Sequence, residues 1–99
     1  MFNEEMLNKL SSLKRQSEES KDRLDEMIIT EESGGGLIEV SMNGNRKLQA
    51  IKINADVSSI ENEDLEDLLT VAFNRVLDKV NDINEKEVMS SAQSLFPGM

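Results

Sequence analysis

The chain has 99 residues, with 11 Lys and Arg against 20 Asp and Glu, a formal net charge of -9, and no His, Cys, Trp or Tyr. That length allows one domain with a small core. The missing residues exclude disulfides, thiolate metal sites and histidine-based catalysis. No apolar run approaches the ~20 residues of a membrane span, and the start, MFNEEMLNKL, is too acidic and polar for a signal peptide. A cytoplasmic location with no membrane partner is expected.

Residues 5–27 are patterned for a first helix. Met6, Leu10, Leu13, Ser17, Ser20, Leu24 and Met27 follow 4-3-4-3 spacing, a seam that wants a partner helix. Its two central serines should weaken it there or let that stretch face water. Ile28, Ile29 and Thr30 are β-branched and open a first strand over 27–32. Gly34-Gly35-Gly36 then supplies the backbone freedom of a tight turn.

Leu37 to Met42 alternates, with Ile38, Val40 and Met42 on one face. Asn43-Gly44 reads as a type I′ hairpin turn, and 46–54 returns as a third strand. The parity of that strand is broken, because Leu48 and Ala50 share one face while Ile51 and Ile53 share the other. Either the strand bulges near Ala50 or both its faces are covered.

Asn62 is the expected N-cap of a second helix over 62–90. The acids that follow suit the positive end of the helix. The broad stripe Leu65, Leu68, Leu69, Ala72, Phe73, Val76, Leu77, Val80 and Ile83 should bury against the sheet. Residues 91–99 read as a mobile tail. The whole chain, 1–99, is then one α+β domain: a helix, a small antiparallel sheet over 28–54 and a second long helix. So little sheet carries so much helix that a second copy is expected to cover what one cannot. Ile38, Val40, Met42, Ile51, Ile53, Leu69 and Phe73 are the candidate core and dimer residues.

No side chain suggests an enzyme. The carboxylates lie at solvated helical positions, where unshifted acids do little at neutral pH. An oxygen-ligand cation site at Glu61–Asp67 is conceivable, but no calcium-loop spacing supports it, and acids at a helix start already have a structural reason. The glycine run precedes a strand and lacks the phosphate-loop pattern. No catalytic residue, metal or cofactor is expected.

The bases remain. Residues 1–30 hold five against seven acids, residues 31–60 three against four, and residues 61–99 three against nine. Acidity is therefore concentrated toward the C-terminal third. A few phosphates neutralised per subunit, doubled in a dimer, would give salt-sensitive affinity for nucleic acid. With three aromatic residues in the chain, stacking on single strands is excluded as the main mode. Any contact would be chiefly to the backbone.

Ser33-Gly34-Gly35-Gly36-Leu37-Ile38-Glu39-Val40, then Asn43-Gly44, Ile51-Lys52-Ile53-Asn54, Glu66-Asp67-Leu68-Leu69 and Ala72-Phe73-Asn74 resemble, in order and spacing, the YbaB/EbfC family of bacterial nucleoid-associated proteins. The ending Phe96-Pro97-Gly98-Met99 resembles that of several members. The resemblance implies an α-β-β-β-α protomer and a symmetric, tweezer-like homodimer whose sheets join at the centre. It also implies binding of double-stranded DNA with little sequence preference, a change in DNA conformation, and a part in nucleoid organisation and gene regulation. By the same resemblance Lys14, Arg15, Lys21, Arg23, Lys79 and Lys86 are the candidate DNA contacts. Genes of the family often neighbour replication or recombination-repair genes, so a recombination or replication protein is a possible partner. The alternative is a dimeric protein-interaction module, similar in kind to a prefoldin-like subunit, that does not itself bind DNA tightly.

Overall fold

The structure, a computed structural model, describes residues 3–54 and 56–95, the last two by their backbone alone. Its elements follow the order α1 (Glu4–Glu26), β1 (Ile28–Ser33), β2 (Ile38–Asn43), β3 (Leu48–Ile53), a short 3-10 turn (Val57–Ser59) and α2 (Asn62–Leu95). This is the expected α-β-β-β-α arrangement. The strands form one antiparallel sheet in the order β1-β2-β3.

Helix α1 starts where Asn3 turns its side chain onto the Met6 N–H at 2.8 Å. This satisfies one of the first-turn donors that a helix leaves orphaned. Helix α2 begins one residue earlier than a cap at Asn62 requires. Asn62 is already helical, and the Glu61 carbonyl accepts the Leu65 N–H at 3.0 Å. The helix also runs on to Leu95, so 91–95 are helical where a mobile tail was expected. Ser90 to Leu95 contains no helix breaker, and the first one in the sequence is Pro97. The rest of that expected tail, 96–99, lies outside the described residues.

The glycine run forms the β1–β2 turn, with φ of 64°, 66° and 94° at Gly34, Gly35 and Gly36. Side chains rarely tolerate that left-handed region. The second turn differs from the type I′ expectation, which needs positive φ at both central residues. Here Asn43 ends β2, and the only non-glycine residue at positive φ among the described residues is Arg46, at 67°. Arg46 N donates to Asn43 O at 3.1 Å, and Asn43 N to Lys47 O at 2.9 Å. This is a three-residue connection whose last residue is left-handed. The Asn43 side chain stabilises it by accepting from Asn45 N at 2.9 Å and Lys47 N at 3.0 Å.

The broken parity of β3 resolves as a bulge. Leu48 pairs with Met42 and Ala50 with Ser41, leaving Gln49 as the extra residue. Leu48, Ile51 and Ile53 therefore share the face of Met42, Val40 and Ile38. Helix α2 lies across that face over β1 and β2. It buries Ile38, Val40 and Met42 against Ala72, Val76 and Val80, with Leu65, Leu68, Leu69 and Leu77 packed around them. Ser33, also buried, donates to the Leu68 carbonyl at 2.6 Å and ties β1 to α2. Ser33→Ala is expected to cost about 1 kcal/mol, measured as a lower urea midpoint at unchanged slope.

Beyond the sheet, α2 continues alongside α1. Ser20 and Arg23 both reach Glu87, at 3.1 and 2.8 Å. Ser20 is therefore buried, contrary to the expectation that the central serines relax the seam into water; Ser17 is exposed. With Ser20 level with Glu87, α1 continues sixteen residues to Glu4, while α2 continues eight to Leu95. At ~1.5 Å per residue, α1 overhangs by roughly 12 Å. Met6, Leu7 and Leu10 on that overhang are about half exposed. The result is a rod of 67 × 22 × 20 Å, with the sheet at one end and a two-helix arm at the other.

Candidate nucleic-acid interface

The arm and the hairpin turn carry most of the bases. Their junction is built by asparagines. Gly44 N donates to Leu24 O at 2.8 Å, the Asn84 amide to Gly44 O at 2.9 Å, and the Asn45 amide to Lys21 O at 2.9 Å and to Asp25 Oδ1. The Arg46 guanidinium donates to Asn81 Oδ1. The turn is thereby wedged between the end of α1 and the middle of α2. Sequence reasoning noted the Asn-Gly pair but not this role, since nothing local marks Asn81 and Asn84 as partners of a loop some forty residues earlier.

The six candidate contacts differ in how engaged they are. Arg23 Nη2 lies 2.7 Å from Glu87 Oε1, with Glu87 itself mostly covered. Lys79 lies 3.3 Å from Glu31 of β1. Arg15 faces Glu19 at 4.0 Å across an exposed helical turn, an ion pair worth little. Lys86 shares a shallow recess with Asp82 and Glu85. Lys14 and Lys21 are exposed and enter none of the ion pairs found among the described residues. The same holds for Lys9 and Lys47, outside the six.

The core and dimer candidates separate into two groups. Ile38, Val40 and Met42 are fully buried. Ile51, Ile53 and Phe73 are 50%, 39% and 38% exposed, and Leu69 is half-buried beside them. Helix α2 leaves β3 uncovered, and an open apolar trough of about 320 Å³ runs between β3 and α2, lined by Val40, Ile51, Leu69, Thr70, Phe73 and Asn74. At the other margin of the sheet, the Arg75 guanidinium donates to the Glu32 carbonyl at 2.8 Å, and Lys79 meets Glu31. Charges of that kind discourage strand addition. On β3 the only charged residue is Lys52, 3.9 Å from Glu39 of β2.

Among the described residues no three acids converge as a metal site would require. Asp56 is held below the usual carboxylate range by the Ser58 hydroxyl and then by the Ser58 N–H. Those bonds start the 3-10 turn and serve structure. No helix is long and apolar enough to cross a membrane among the described residues.

Comparison with known proteins agrees with this geometry. A protein named "Nucleoid-associated protein" from Flavobacterium johnsoniae is 37% identical over 95 residues, 95% of this chain and 88% of that one. One of the same name from Anaeromyxobacter dehalogenans is 33% identical over 98 residues, covering 95% and 93%. The crystal structure of an uncharacterized protein from Helicobacter pylori has a TM-score of 0.79 at 22% identity, covering 91% of this chain and 97% of that one, a likeness of fold. The family model of the YbaB/EbfC DNA-binding family matches residues 1–95. With the helix–three-strand–helix order, the glycine turn and the long arm all in place, this chain belongs to the YbaB/EbfC DNA-binding family.

Proposed function

We propose that this protein is a homodimeric, nucleoid-associated protein that binds double-stranded DNA with little sequence specificity and alters its conformation, contributing to nucleoid organisation and gene regulation. The observation that carries the reading is the match to a DNA-binding family along 1–95. Relatives covering nearly the whole chain bear nucleoid-associated names, which supports a place in the nucleoid.

The dimer reading is supported by the uncovered β3 edge and the apolar trough beside it. Two copies meeting there would extend the sheet and cover Ile51, Ile53 and Phe73. Their arms would then project as a pair. Phosphate contacts come from Lys14, Arg15, Lys21, Arg23, Lys79 and Lys86, of which Arg23 and Lys79 must first leave Glu87 and Glu31. The net charge of -9 per chain opposes association with DNA, so such contacts must be local and salt-sensitive.

Gel retardation with unrelated duplexes at low salt tests the reading. Complexes are expected at micromolar dimer, weakening on a log-log plot by about 0.9 per phosphate neutralised. Absence of any shift at that concentration would overturn it. A second reading, a protein-interaction module serving a recombination or replication protein, is favoured by the exposed Met6, Leu7, Leu10, Val88 and Met89 of the arm. Co-purification before and after nuclease treatment separates the two. A protein partner retained after digestion supports the second, and loss of all partners supports the first.

A further inference from the structure

Between α1 and α2, at the root of the arm and beside the hairpin turn, lies a groove of about 340 Å³. Its walls are aliphatic, from Leu13, Leu24 and Val88. Its polar lining is of amides and hydroxyls, with Lys21 as the single charged residue, and no carboxylate lines it. In a chain with 20 acids, a recess on the arm lined without one is notable. Two carboxylates stand just behind the lining and are turned onto protein donors: Glu87 accepts from Ser20 and Arg23, and Asp25 Oδ1 from the Asn45 amide.

The rim is basic. By the ~100° turn per residue of an α-helix, Lys14 and Lys21 lie roughly 60–80° from the centre of the α1 seam, while Glu18 and Asp22 lie roughly 120–160° away, toward solvent. Lys47 stands at the far end of the turn that carries Asn45, and both it and Lys21 are exposed and enter no ion pair among the described residues. The turn is held to both helices by backbone and amide hydrogen bonds. The two lysines are thus presented from a rigid base, and holding them in place costs less on binding.

Resting on the DNA-binding reading above, we propose that this groove seats one sugar–phosphate segment of duplex DNA, with Lys21 and Lys47 neutralising its phosphates. The aliphatic walls match the C–H faces of deoxyribose. Ser20, Asn45 and Asn84 are engaged with Glu87, Asp25 and Gly44, so Gln16, Ser17 and Ser91 of the lining donate to phosphate oxygens, as neutral donors commonly do at DNA backbones. Nothing in the groove reads a base edge. The site therefore confers register along the backbone without sequence choice. It places the DNA at the base of the arm, and Lys47 joins the candidate contacts.

The test compares the wild-type protein with Lys21→Gln/Lys47→Gln and Lys21→Arg/Lys47→Arg, using a duplex of mixed sequence over a salt series. The Gln pair is expected to bind at least tenfold more weakly and to flatten the log-log salt slope by ~0.9 for each phosphate no longer neutralised, nearly two per protomer. The Arg pair is expected to keep both. Side-chain amide resonances of Asn45 and Asn84 are expected to shift as DNA is added. If the wild-type protein binds while the Gln pair keeps its slope and affinity, or if those resonances stay fixed, the groove is not the site and the DNA-binding reading survives. If the wild-type protein binds no duplex, both fall together.

Discussion

Ile51→Asp is expected to split the proposed homodimer. Ile51 lines the trough beside β3 and is 50% exposed in a single copy, and a symmetric interface would bury it twice. Burying an Ile side chain is worth about 1.5–3 kcal/mol. With half of that side chain already covered in one copy, two copies contribute about 1.5–3 kcal/mol, or roughly one to two orders of magnitude in the dissociation constant. An unpaired carboxylate in the same place adds a desolvation penalty. The protomer's own core of Ile38, Val40, Met42, Val76 and Val80 is untouched. Sedimentation of the variant should give half the wild-type mass at micromolar concentration, with helical content preserved. A variant that still sediments as the wild type would place the interface elsewhere. If the wild type is itself a monomer at every dilution, the homodimer is wrong.

Gly44→Ala is expected to cost about 2–4 kcal/mol, combining overpacking with a lengthened hydrogen bond. The reason is space. Gly44 is not among the glycines at positive φ. A Cβ there would stand 2.7 Å from the Leu24 carbonyl oxygen and 2.9 Å from Leu24 Cδ2. The oxygen belongs to the backbone that ends α1, and Gly44 N already donates to it. The turn must therefore back away from α1, weakening the hydrogen bonds of Asn45 with Lys21 O and Asp25. The melting temperature should fall by ~10 °C or more on the scaling for a domain of this size. Amide exchange should accelerate most in the last turns of α1, where the wedge loosens. A melting point within a degree of wild type would mean that the close approach is easily relieved.

Much of the protomer was legible from residue pattern because the pattern is local. The φ values of Gly34 to Gly36 follow from having three glycines in a row, and the buried face of β2 follows from strict alternation at Ile38, Val40 and Met42. The α2 stripe holds its 3.6-residue period from Leu65 to Val80, and the sheet face accepts it. The broken parity of β3 left a bulge near Ala50 or two covered faces as alternatives, and pairing with Ser41 and Met42 decided for the bulge, at Gln49. The hairpin turn misled because Asn-Gly is a turn signal with two explanations. Local preference points to positive φ at the glycine. The actual demand is room for the end of α1, and the left-handed position falls to Arg46.

The candidate site was less legible. A base is a candidate wherever it appears, but its availability depends on what faces it. Arg23 and Lys79 meet Glu87 and Glu31, residues 64 and 48 positions away, which no helical spacing pairs. Ser20 looked like a flaw in an apolar seam and is a buried donor to the same Glu87. By itself the order of residues determined the elements, the turns' locations, the amphipathic faces and the absence of thiol or imidazole chemistry, because each depends on neighbours within a few positions. Which bases stay free, which strand edge stays open, and where a carboxylate-free groove forms were decided only when α2 folded back over β1 and β2 and along α1. Those properties depend on charges and surfaces brought together from distant parts of the chain.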